Sequence, residues 1–190
     1  MQREQVLNSV LQLLEQHGLG CNIEILLNKL KVEFNKSRQF WPNNEALLYD
    51  CLRHHSQQIE TWQRQIQLND QLSPEEKLLA RYNRLAQKVS DNRFPGCLFI
   101  AACSIFPDPE HPIHQLSEQQ KKLSFNFSLE LLRQLDIDDS EQVAKQMELI
   151  LEGCLSKLVV KRNIEDVLIA KLLAEDILTI AKCRKNDALN

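Results

Sequence analysis

The chain is poor in the residues that interrupt helices and in those that build sheets. Its 190 residues include only four glycines and six prolines, and aromatics make up 6%. Long runs free of Gly and Pro, rich in Leu, Gln, Glu, Lys and Ala, favour helix over strand. It also lacks paired cysteines: the six lie far apart at 21, 51, 97, 103, 154 and 183, with no CxxC. That spacing excludes a disulfide framework and the usual zinc patterns, and predicts reduced thiols among apolar neighbours. No apolar run approaches the roughly 20 residues that cross a bilayer. The N-terminus, MQREQVLNSVLQLLEQHG, has no continuous apolar core and no small-residue cleavage site. The expectation is a cytoplasmic protein with no membrane partner. An excess of positive charge is missing too, the formal charge being −3, which argues against a protein that coats nucleic acid indiscriminately.

What is present is helical periodicity. Apolar positions predict a helix over 3–17, closed by His17-Gly18, Gly being usual just past a helix end. Asn22 suits the cap of a short helix with a stripe of Ile23, Leu26, Leu27 and Leu30. Lys31-Val32 forms a turn, and Glu33 to Phe40 a second short helix that stops before Pro42. Asn43 or Asn44 caps a long helix to about Gln67. Ser73-Pro74-Glu75-Glu76 starts another, with a capping Ser, Pro at the first helical position and acids at the positive end of the helix. Residues 97–106, CLFIAACSIF, predict a helix buried nearly all round. Pro107, Pro109 and Pro112 bound an irregular connection, and three amphipathic helices follow at about 113–135, 140–160 and 163–184. Asp139-Ser140 and Asn163 cap the last two, and Asp136 to Asp139 is a solvated acidic turn. The fold class is all-α, with about nine helices. A head over 1–48 and a body over 49–190 meet within the helix after Pro42.

Two short helices joined by a tight turn suit a helix-turn-helix, whose second helix enters the DNA major groove. REQVLNSVLQLLEQHG, the two short helices and FWPNNEALLYDCL come in an order that resembles the TetR family of bacterial transcriptional regulators. There an aromatic-Pro-x-x-Glu-Ala-Leu-Leu run closes the recognition helix and opens the connecting one. PGCLFIAACSIFPDPEHPIHQ and MELILEGCLSKL are similar to the body of one branch of that family. The chain departs from the pattern in three places. Lys31 stands where the family often has Gly, the loop Leu19-Gly20-Cys21 is one residue short, and the small-residue and Tyr-His pattern of the recognition helix is replaced by EFNKSRQ.

The resemblance implies a homodimeric repressor of a palindromic double-stranded DNA operator, its DNA affinity modulated by a small-molecule effector in the body. Matched position by position, it puts DNA contacts at Asn35, Lys36, Arg38 and Gln39, with phosphate contacts near Asn22 and Asn44. Those side chains suit base edges and phosphates. It implies a pocket lined by Trp62, Tyr82, Cys97, Ile100, Phe125 and Phe127. The last two helices would pair with a second subunit through Met147, Leu151, Leu155, Leu172, Leu173 and Ile177. No catalytic residue, cofactor or metal is expected. Cys97, Cys103, His111 and His114 are soft ligand types, but they lack the tight spacing of a zinc site, and nothing supplies a third group for a Cys-His nucleophile. The alternative is a dimeric ligand- or protein-binding module of the same fold with weak DNA binding. It is motivated by residues 1–55, where six basic residues (Arg3, Lys29, Lys31, Lys36, Arg38, Arg53) meet six acidic ones (Glu4, Glu15, Glu24, Glu33, Glu45, Asp50).

Overall fold

The computed structural model describes residues 3–20, 25, 38–93 and 96–185. Seven helices lie among them: α1 Arg3–His17, α2 Asn44–Gln67, α3 Pro74–Ser90, α4 Leu98–Ile105, α5 Pro112–Gln134, α6 Ser140–Val160 and α7 Ile164–Lys185. About nine were expected; the two short helices at 22–30 and 33–40 fall largely outside the described residues.

The helix ends follow local chemistry. Gly18 closes α1 at φ 77°, a left-handed conformation that costs glycine little, and donates to the Leu14 carbonyl at 2.8 Å. Of the two candidate caps for α2, Asn43 is the one whose Oδ1 accepts from the backbone N–H of Ala46, at 2.7 Å. α3 begins with a reciprocal capping box. The Glu76 N–H donates to Ser73 Oγ at 3.2 Å, and the Ser73 N–H donates to Glu76 Oε2 at 2.8 Å. Asn163 Oδ1 accepts from the Glu165 N–H at 3.1 Å before α7. Asp139 stands before α6 without a side-chain capping bond. The turn before it is not wholly solvated, as expected from sequence. Asp136 takes a left-handed φ of 55°, and the chain then folds Ile137 back into the core.

Packing divides the chain into two compact units, Met1–Ile59 with Gly96–Gln120 and Glu60–Pro95 with Lys121–Asn190. In the first, α1 buries Val6, Val10, Leu11 and Leu14, and α2 buries Leu47, Cys51 and Leu52. α4 corrects an expectation, because only Leu98, Phe99 and Ala102 are buried while Ile100 and Ile105 are exposed. A helix of two turns has one face on its neighbours, and Phe99 uses that face to stack on His55, centroids 5.5 Å apart. In the second unit Leu78, Tyr82, Phe127, Leu131, Leu132, Met147, Leu158 and Leu178 form a continuous core. α7 packs on α3 and α6 through Val167, Ala170, Ala174, Leu178 and Ala181, a stripe small enough for close approach.

Candidate nucleic-acid interface and effector region

Of the expected DNA-contacting residues, Asn22, Asn35 and Lys36 lie outside the described residues. Arg38, Gln39 and Asn44 can be placed. Pro42 turns the chain so that the guanidinium of Arg38 meets the Pro42 carbonyl at 3.0 Å and Asn44 Oδ1 at 3.3 Å. Arg38 and Asn44 therefore converge at the first turn of α2, where backbone N–H groups and the helix dipole favour an anion. Gln39 is exposed beside them. Behind this corner Trp41 is buried, its indole N–H donating to Asp50 Oδ2 at 2.7 Å. Arg53 reaches Asp50 Oδ1 at 3.1 Å, and Arg3 pairs with the same carboxylate.

Of the soft-ligand residues, the two histidines make structural contacts. His111 stacks on Phe106 with centroids 4.5 Å apart and lies 3.4 Å from Glu45, and His114 Nδ1 is 2.8 Å from the Phe106 carbonyl. Among the described residues no group of three or more His, Cys, Asp or Glu side chains is placed to hold a metal ion.

In the second unit the expected pocket residues part company. Trp62 and Phe127 lie with ring centroids 6.4 Å apart. The Arg84 guanidinium caps Trp62 at 4.6 Å, and that of Arg81 lies 5.7 Å from the Phe127 centroid. Burial lowers the pKa of Arg84. Tyr82 is fully buried in the same core. Burial pushes its phenol up to about 12, with Arg81 opposing and Glu148 and Cys154 adding to the rise. Phe125 lines an open groove of about 420 Å³ with Lys121, Lys145, Glu148, Leu149 and Glu152. Cys97 and Ile100 belong to the other packing unit, and Ile100 is exposed.

The chemistry of this region centres on residues absent from the expected set. Arg81 Nη1 donates to Glu148 Oε1 at 2.6 Å and to Ser124 Oγ at 3.3 Å, and Nη2 donates to Ser128 Oγ at 2.8 Å. The hydroxyl of Ser124 donates to Glu148 Oε2 at 2.7 Å and that of Ser128 to Oε1 at 2.8 Å. All four residues are buried. Burial pushes the Glu148 carboxyl up; the Arg81 charge and the hydrogen bonds from Arg81, Ser124 and Ser128 outweigh it and hold the group below the ordinary carboxylate value. Arg81 Nε and the Tyr82 hydroxyl are buried with no hydrogen-bond partner in the protein. A sequence signal for part of this existed. Ser117, Ser124 and Ser128 recur at helical spacing on α5 and are all buried, a polar stripe where an amphipathic helix ordinarily turns Leu inward.

The expected pairing face is also redistributed. Met147 and Leu151 are buried in the chain's own core and so have no surface left for a partner; α6 instead exposes Leu149, Val159 and Val160. Leu155 and Ile177 are partly buried against the core. Leu172 and Leu173 are exposed, joined along α7 by Ile164, Leu168, Ile169 and Ile180.

Compared with known proteins, the chain is 52% identical over 190 residues to the HTH-type transcriptional regulator YjdC of Escherichia coli (strain K12), covering 100% of both chains. The same identity and coverage hold for YjdC of Shigella flexneri. The fold matches SCO4454, a TetR-family transcriptional regulator from Streptomyces coelicolor, with a TM-score of 0.83 at 16% identity over 94% of this chain and 95% of that one. It also matches a TetR transcriptional regulator from Legionella pneumophila, with a TM-score of 0.81 at 18% identity over 93% and 96%. The chain belongs to the TetR family of helix-turn-helix transcriptional regulators. No family model matches it.

Membership in the TetR family places the chain among non-catalytic regulators. Among the described residues of this TetR-family chain, no helix is long and apolar enough to cross a membrane.

Proposed function

We propose that this chain is a dimeric transcriptional repressor, its head over 1–48 reading a palindromic operator and its body over 49–190 receiving a small-molecule effector. The observation that carries the reading is α7. Its inward stripe is Val167, Ala170, Ala174, Leu178 and Ala181, yet Ile164, Leu168, Ile169, Leu172, Leu173 and Ile180 are exposed. A helix apolar on nearly all sides belongs in an interior, and a patch of this kind on a soluble chain marks an interaction surface. A second copy placed there by two-fold symmetry buries both faces and sets two heads against two half-sites. Asn35, Lys36, Arg38 and Gln39 then read bases, with Asn22 and Asn44 on phosphates. An effector acts only if it binds one head spacing better than the other.

Selection of bound duplexes from a random pool tests this. Wild type is expected to enrich a palindrome that a Lys36→Ala/Arg38→Ala variant does not. No enrichment at low salt overturns the reading. The balance of six basic and six acidic residues in 1–55 favours one second reading, a binding module of the same fold with weak DNA affinity. A shallow dependence of duplex binding on salt distinguishes that module from an operator-binding repressor.

A further inference from the structure

We propose that Trp41 and Asp50 are positioning residues for operator reading: the carboxylate fixes the indole, and the indole fixes the corner that carries Arg38 and Asn44. The inference deepens the operator reading above and rests on it for its meaning in DNA recognition. Across residues 38–46 Trp41 is the one buried residue, its neighbours being exposed or partly so. Of the adjacent aromatic pair, Phe40 is 46% exposed and Trp41 3%. The corner ahead of α2 therefore reaches the core through a single side chain.

Apolar burial is non-directional, so it sets how deep a ring sits and not which way it turns. The indole carries one donor, and it donates to Asp50 Oδ2 at 2.7 Å. A hydrogen bond to an ionised acceptor is one of the strong ones, and it fixes the turn of the ring. Asp50 lies within α2, past Asn44, so the bond ties the segment before the helix to the helix itself. Arg3 brings in α1. It pairs with the same carboxylate, and its guanidinium lies 5.8 Å from the Trp41 ring centroid. On the far side of Trp41 the Pro42 carbonyl accepts from Arg38 at 3.0 Å, and Asn44 Oδ1 accepts from the same guanidinium at 3.3 Å. A swing of Trp41 thus shifts Pro42 and the guanidinium bonded to it. All these residues lie in one packing unit. Only molecules with the corner in place read the operator, so the apparent affinity falls with the fraction that holds it.

The test compares wild type, Trp41→Phe, Asp50→Ala and Asp50→Asn as full chains, on the selected operator and on a scrambled duplex of the same length. Trp41→Phe deletes the donor and Asp50→Ala the acceptor. Each should weaken operator binding about tenfold, the worth of one hydrogen bond. Scrambled-duplex binding and its salt slope should hold, because no phosphate contact is lost. Asp50→Asn keeps an acceptor for the indole and should stay within about twofold of wild type. An equal fall on both duplexes overturns the proposal, because loss of folded protein alone produces it. Unchanged operator affinity in Trp41→Phe and Asp50→Ala overturns it too. Amide hydrogen exchange without DNA separates this inference from the operator reading. The Ala46 and Leu47 N–H groups are bonded to Asn43, and both should exchange faster in Trp41→Phe and Asp50→Ala than in Asp50→Asn. Faster exchange with no operator enriched by wild type leaves the corner's anchoring standing and removes the operator reading. Unchanged exchange overturns the anchoring itself.

Discussion

Each packing unit holds a buried carboxylate paired with arginine, Asp50 in the first and Glu148 in the second, and the two are neutralised in opposite ways. Asp50 in the first unit is held by the Trp41 indole and by Arg3 and Arg53, whose side chains are each 48% exposed. Glu148 in the second is held by Arg81, whose side chain is 6% exposed, and by two buried serines. The Asp50 cluster keeps its cations at the surface, so losing the carboxylate's charge strands no charge inside. In the Glu148 cluster both partners are buried, and removing one leaves a buried charge unpaired. A buried ion pair of this kind need add little net stability when intact, yet it is costly to break.

The largest expected effect therefore comes from Glu148→Gln, which leaves Arg81 uncompensated and should cost about 3–5 kcal/mol in urea unfolding. Acid should reveal the same difference. The Glu148 carboxyl has its folded-state pKa held below the ordinary value. Its contribution is thus fully present above the unfolded carboxylate pKa and is lost as pH falls through the folded one. Wild type should lose more stability than Glu148→Gln across that acidic window; equal losses break the comparison.

A smaller effect is expected at Asp50. Asp50→Asn keeps an acceptor for Trp41 and releases two exposed arginines, costing about 1 kcal/mol. In high salt this cost should shrink while that of Glu148→Gln persists, because only exposed pairs are screened. The smallest effect serves as a control outside both clusters. Ser73→Ala removes the capping box of α3 and should lower stability by about 1 kcal/mol, independent of salt and of the other two substitutions.

Much of the architecture was legible in the sequence because helix ends are local events. Gly18, Ser73-Pro74-Glu75-Glu76 and Asn163 act within a few residues of themselves, and each does in the structure what its position implies. The Glu148 cluster was not legible. Arg81 sits in PEEKLLARYNRL like any solvent-facing basic residue, and its partner is 67 positions away. The orientation of α7 was equally closed to periodicity, since Leu, Ile and Ala occur on nearly every side of it.

By itself the sequence determined an all-α chain of the TetR family and where most of its helices start and stop. Capping, turn geometry and spacing need only neighbours along the chain. The tertiary structure decided that the alanines of α7 face inward with Val167 and Leu178 while Leu168, Leu172 and Leu173 face outward, that Met147 and Leu151 belong to the chain's own core, and that Arg81, Ser124, Ser128 and Glu148 form one buried group. Those outcomes depend on which helix lies against which, and on a dry interior in which an isolated charge is too costly to leave unpaired.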